Sequence, residues 1–75
     1  MQVSFDRKKF AKDIKTKRVI DLKVDLRTVA DEVGISPATL SRCENEGNPD
    51  LLTTLKICHW LGHSAYLYVN YKKIK

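Results

Sequence analysis

Between Ser36 and Cys43 the chain sets one long guanidinium, Arg42, among short side chains: Pro37, Ala38, Thr39 and Ser41. Those types suit contact with the edges of base pairs. A guanidinium donates two parallel hydrogen bonds to guanine O6 and N7, and the methyls of Ala38 and Thr39 fit a thymine methyl. The hydroxyls of Thr39 and Ser41 can serve a base or a phosphate. Ser36 stands where free backbone N–H groups at a helix start would face a phosphate. Other chemistry is poorly provided for. His59 and His63 are four apart and near Cys58, but Gly62 interrupts the helix between them and no acid intervenes, so no metal site is expected. Ser36, Ser41 and Ser64 have no recognisable histidine and acid partners for hydrolysis. Neither an enzyme nor a cofactor is expected.

For those side chains to enter a groove, a short helix must carry them and a second must brace it. Leu26, Val29, Ala30 and Val33 recur at helical spacing, with Asp25 as N-cap and Val24 and Val29 as a hydrophobic staple. Ala30 leaves room for a crossing helix. Gly34 supplies the positive φ that ends the first helix. Ser36 then caps a second helix with Pro37 at its first position and Ile35 and Leu40 as staple. Leu40 and Cys43 face inward on this reading, leaving Ala38, Thr39, Ser41 and Arg42 outside.

These residues lie within VDLRTVADEVGISPATLSRCENEGNPDLLTTLKICHWLG, about half the chain, and this stretch resembles the Cro/C1-type helix-turn-helix family of phage repressors and bacterial transcriptional regulators. Ala30, Gly34, Ile35, Ser36, Leu40, Ser41 and Arg42 carry the likeness, followed by Glu44, Gly47, Pro49 and Leu61-Gly62. The resemblance implies an all-α fold: a compact four- or five-helix, lambda-repressor-like DNA-binding domain that often dimerises on operator DNA. The chain departs from the family pattern at Leu26 and Pro37, where glutamine is common, and at Thr54, where leucine is usual. The links before Asp25 and after Glu44 are each one residue longer.

Seventy-five residues make a single domain over 1–75, with its helix-turn-helix core at 25–45. Cys43 and Cys58 fall on apolar helix faces and read as buried thiols of a reducing compartment. No signal peptide or membrane-spanning run is visible, so the cytoplasm is the expected location and no membrane partner is expected. The net charge of +5 is unevenly spread: residues 1–23 hold eight bases against three acids, 24–50 two against six, and 51–75 four lysines and no acid. The central motif is therefore not basic, and phosphate must be neutralised from the flanks.

Ser4 is the expected cap of a first helix running to about Val19, with Phe10, Ala11, Ile14 and Arg18 along or beside its inner face and Phe10 and Ile14 packed on the Val29–Val33 face. Lys8, Lys9, Lys12, Lys15 and Lys17 form its basic remainder. Lys17 and Arg18 are candidates for the DNA backbone, with pairing to an acid of the second helix as the alternative for Arg18. Val19–Val24 reads equally as a loop, a helical extension or an extended segment. Asn45 and Asn48, in the turn-rich link after Cys43, are further backbone candidates or simply turn residues, while Glu44 and Glu46 must point away from phosphate or to basic partners. Asp50 should cap a fourth helix to about Leu61, with Leu51, Thr54, Ile57, Cys58 and Leu61 inward and Lys56 and His59 outward.

Ser64 either caps a short fifth helix or precedes a strand in which Ala65, Leu67, Val69 and Tyr71 alternate with polar positions. This segment, 64–75, is the candidate dimerisation element through Tyr66, Leu67, Tyr68, Val69 and Tyr71, together with Trp60. Lys72, Lys73 and Lys75 would meet phosphate if the tail turned toward DNA. The expected function is a sequence-specific double-stranded DNA-binding regulator, a repressor by family likeness, acting as a homodimer on half-sites about one helical turn apart. An antitoxin-like or other protein-interaction module, binding a partner through its C-terminal segment, is the alternative. An accessory factor that bends DNA is a third reading.

Overall fold

Four side chains start the four α-helices, each accepting the backbone N–H three residues on: Asp6 from Lys9 at 3.0 Å, Asp25 from Thr28 at 2.8 Å, Ser36 from Thr39 at 3.1 Å and Asp50 from Thr53 at 2.7 Å. A computed structural model describes residues 2–72, with the side chains of residues 3–70. Strand β1 (Gln2–Phe5) leads into α1 (Arg7–Lys15), which runs on without a break as a π-helical segment, Thr16–Leu22. Then come α2 (Leu26–Val33), α3 (Pro37–Glu44) and α4 (Leu51–Leu61). A 3₁₀ turn at Ala65–Tyr68, capped by Ser64, delivers the chain into β2 (Val69–Lys72). The result is a mostly helical domain with one two-stranded antiparallel sheet.

The expected caps at Asp25, Ser36 and Asp50 are present, and Gly34 and Gly62 end α2 and α4 with φ of 85° and 76°. The first helix is corrected at both ends. Ser4 lies in β1 and Asp6 is the cap. Its far end continues to Leu22, so Val19–Val24 is mainly a helical extension. β1 pairs with β2 from Gln2 opposite Lys72 to Phe5 opposite Val69, and the Asp6 N–H donates to the Tyr68 carbonyl at 2.6 Å. The C-terminal segment thus takes both forms offered for it, a helical turn and then a strand.

Phe10, Ile14, Val29, Ala30, Leu40, Cys43, Ile57, Cys58 and Tyr68 form one buried cluster. Phe10 and Ile14 belong to it, but the principal neighbour of α1 is α3, not the α2 face. At the strand end, Phe5, Phe10 and Tyr68 make an aromatic group, with edge-on contacts of Phe10 to Phe5 and to Tyr68, each at 5.1 Å between centroids. On α4, Thr54, Ile57 and Cys58 are buried and Leu61 half-buried, but Leu51 is 75% exposed. Leu51 sits at the edge of the inward stripe in the first turn, where the core no longer covers it. Thr54 is accommodated because its hydroxyl donates to the Asp50 carbonyl at 2.8 Å. Both cysteines are free and buried, and desolvation pushes both thiols up. Among the described residues no helix is long and apolar enough to cross a membrane.

Candidate nucleic-acid interface

The α2–α3 connection is only three residues long. Gly34 and Ile35 both donate their N–H to the Ala30 carbonyl, at 2.9 and 3.0 Å, which closes α2 and turns the chain directly into the Ser36 cap. Ala30 is fully buried, as its expected place beneath a crossing helix requires. Lys56 donates to the Gly34 carbonyl at 3.2 Å and Trp60 Nε1 to Glu32 at 3.2 Å, so α4 braces this turn from behind.

Helical periodicity divides α3 cleanly. Leu40, Cys43 and Glu44 are buried, Ala38, Arg42 and Asn45 are exposed, and Thr39 and Ser41 lie half-buried along the two borders. The four expected base-contact residues, Ala38, Thr39, Ser41 and Arg42, therefore share one outward surface. Along one border the side chains are already linked: Ser36 Oγ and Thr39 Oγ1 are 2.8 Å apart, and Arg42 Nη2 donates to Thr39 Oγ1 at 3.4 Å. That pair holds the guanidinium back along the helix toward its N-terminus. Asn45 donates to the Ser41 carbonyl at 2.8 Å, finishing α3 with its own amide.

Two hollows flank this surface. On the Thr39–Arg42 side lies one of about 260 Å³, walled by Arg42, Gly47, Asn48, Pro49, Asp50 and Thr53. Gly47 allows this wall to close. Its N–H donates to the Arg42 carbonyl at 2.7 Å, and a Cβ built on it would stand 2.7 Å from that same oxygen. The preceding turn is made by Glu46 at φ 63°, the position a glycine would fill more easily. Asn48 is exposed on this wall. At the Glu44 end of α3 a second hollow, of about 290 Å³, is walled by Lys8, Lys12, Lys15 and Thr16 of the first helix and by Glu44 and Glu46.

The two basic residues singled out for phosphate are engaged inside the molecule. Arg18 reaches Glu44 with two prongs and the Val24 carbonyl at 3.3 Å; its partner is thus the end of α3, not an acid of α2. The Glu44 hydrogen bond pushes the Arg18 guanidinium further up, keeping it charged. Lys17 points the other way, donating to the Trp60 carbonyl with its ammonium 4.6 Å from the Trp60 ring centroid. Arg18 is thus matched by an acid, whereas Lys17 keeps its charge but is held against the end of α4. Of the basic remainder expected on the first helix, packing brings Lys8, Lys12 and Lys15 beside the end of α3, a selection the sequence does not reveal because it does not tell which side of α1 meets α3.

The expected dimerisation residues separate. Tyr68 is fully buried, its hydroxyl donating to Asp13 at 2.7 Å and bonded to His63 Nδ1 at 2.8 Å, so it cannot form a dimer patch. Trp60 is half-covered by Lys17 and tied to Glu32. Tyr66 and Leu67 are exposed at 74% and 47%, and Val69 is half-buried. The Tyr71 and Lys72 side chains, and Lys73 and Lys75 entirely, lie outside the described residues. A signal the sequence did contain was missed: Leu51, Leu52 and Leu55 form an exposed apolar strip on α4. His63 belongs to the Tyr68–Asp13 group, and among the described residues no three metal-ligating side chains come together.

Compared with protein-family models, with curated proteins and with solved structures, the chain matches none.

Proposed function

We propose that this chain is a sequence-specific double-stranded DNA-binding regulator of the Cro/C1-type helix-turn-helix class, with a lambda-repressor-like arrangement of helices, that lays α3 in the major groove. The observation that carries the reading is the outer surface of α3. Ala38, Ser41 and Arg42 stand together on a helix that α2 braces through a three-residue turn, and the Thr39 hydroxyl orients the Arg42 guanidinium. A bidentate contact from Arg42 to guanine supplies discrimination, and the small neighbours let the helix approach the base edges. The Ser36 end of α3 serves a phosphate, and Asn48 a second one from the loop. Occupying a promoter in this way represses by excluding polymerase.

The regulator acts as a homodimer on paired half-sites. Support comes from apolar side chains left exposed, among them Leu51, Leu52 and Leu55 on α4 and Tyr66 and Leu67 before β2. The same side chains favour the second reading, an antitoxin-like interaction module whose partner is another protein. Selection of binding sites from random duplex DNA, followed by titration of the winner at two salt concentrations, separates the two. The proposed function expects an inverted repeat with strong preference over random duplex. No enriched sequence, with tight binding to one partner protein, would replace it with the second reading.

A further inference from the structure

The first helix carries a row of lysines at i, i+4 and i+7, namely Lys8, Lys12 and Lys15, all exposed and all lining the hollow at the Glu44 end of α3. Among the described residues none of the three enters an ion pair. Lys9 is exposed on the next face of the same helix and does not line the hollow. We infer that Lys8, Lys12 and Lys15 are a phosphodiester-backbone site of this protein, gripping one strand of duplex DNA while α3 occupies the adjoining groove. The inference rests on the DNA-binding reading above and assigns its electrostatic half.

Three features select this site. Arg18 is paired with Glu44 and Lys17 is held against Trp60 at the end of α4, so among the described residues this row is the positive charge that lines the hollow without an ion-pair partner. The row spans about 10 Å at 1.5 Å per residue, roughly three axial steps of about 3.4 Å between successive phosphates on one strand of duplex DNA. Glu44, the acid deepest in the hollow, is neutralised by Arg18, leaving Glu46 as the one acid there that opposes a phosphate. Thr16 adds a hydroxyl at the end of the row.

The test is the salt dependence of duplex binding, measured by fluorescence anisotropy on random-sequence duplex DNA from 50 to 200 mM salt. Three variants are compared with the unaltered chain: K8Q/K12Q/K15Q, the charge-matched R7Q/K9Q/K23Q, whose positions are exposed and do not line the hollow, and the single variant E46Q. Loss of three phosphate contacts flattens the slope of log K against log salt by about 2.7, so over this fourfold range the first triple variant loses about 40-fold less affinity than the unaltered chain. The charge-matched variant keeps its slope, and E46Q binds more tightly at low salt. Equal flattening by both triple variants would overturn the site, because net charge alone would then account for the effect. So would an unchanged slope, or a K8Q/K12Q/K15Q defect seen only on phosphatidylserine vesicles. No binding of duplex by the unaltered chain overturns the DNA reading and this site together. Slope flattening by the stripe variant without any selected sequence upholds the site and overturns the sequence-specific reading alone.

Discussion

Arg18 and Glu44 form a two-pronged ion pair across the seam between the first helix and α3, Nε to Oε2 at 2.6 Å and Nη2 to Oε1 at 2.8 Å. The glutamate side chain is 5% exposed and the arginine 19%, so the pair lies at the inner edge of the surface argued above to face DNA. It also explains how an acid is tolerated in the last turn of α3, where the helix dipole disfavours negative charge.

Removing one partner strands the other in a low-dielectric seam. Arg18→Ala is expected to cost about 3 kcal/mol, read from urea denaturation midpoints. The double variant Arg18→Met with Glu44→Leu should recover most of that loss, since apolar groups of similar volume need no solvation. A loss under about 1 kcal/mol for Arg18→Ala would place the pair with ordinary surface bridges.

Tyr68 holds Asp13 and His63 from a fully buried position, joining α1 to the end of α4. Tyr68→Phe leaves both partners short of a hydrogen bond and should cost about 1–3 kcal/mol in thermal or urea unfolding. Burial, reinforced by Asp13, raises the phenol above its ordinary value of 10.0. The unfolded chain therefore releases this proton first. The stabilisation is complete below pH 10 and falls as pH rises beyond it. Absorbance at 295 nm in an alkaline titration should show the Tyr68 phenolate appearing only with unfolding. Titration of all tyrosines at their ordinary value in the folded protein would contradict this burial.

The end of α3 offers a pair of opposite outcomes at neighbouring positions. Glu46 occupies the left-handed region at φ 63°, so Glu46→Gly should raise stability by about 0.5–1 kcal/mol. Gly47→Ala should lower it, because the new Cβ meets the Arg42 carbonyl oxygen at 2.7 Å, a backbone atom that cannot yield without opening the turn. Melting temperatures of the two variants decide the matter, and the same sign for both would refute the geometry of this turn.

Arg42 is exposed, so its removal should leave the melting temperature nearly unchanged. On DNA, Arg42→Ala is expected to relax preference at one base position by about 1–3 kcal/mol, measured by competition among single-base variants of the selected site. Uniform weakening across all sequences would reassign Arg42 to the phosphate backbone. Thr39→Val, which removes the hydroxyl that accepts from Arg42, should give a smaller loss at the same base position.

What could be read from the chain alone was what depends on near neighbours. Asp25, Ser36 and Asp50 cap helices because each side chain meets an N–H three residues away, and Gly34 and Gly62 end them because positive φ is a local requirement. Helical spacing likewise placed Leu40 and Cys43 inside and Arg42 outside, and the structure has them there, with Thr39 and Ser41 half-buried at the borders of the outer face.

Tertiary structure alone decided whatever depends on distant partners. β1 is ordered by pairing with a strand at the opposite end of the chain, and four residues carry too weak a local signal to announce it. Leu51 and Leu55 are apolar like core residues, yet they are exposed because, among the described residues, no neighbouring element covers that side of α4. Tyr68, apt for a surface patch by type, is enclosed because the 3₁₀ turn aims it between Asp13 and His63. The roles of the basic residues were decided in the same way. Arg18 and Lys17 are adjacent in sequence, but the packing of α1 between α3 and α4 commits them to Glu44 and Trp60 and leaves Lys8, Lys12 and Lys15 uncommitted. Local sequence sets the charge and its helical face; only the packing of helices sets which charge meets an opposite one, as Arg18 does at Glu44, and which meets a neutral carbonyl and ring, as Lys17 does at Trp60, because Coulomb attraction depends on distance in space and not on place in the chain.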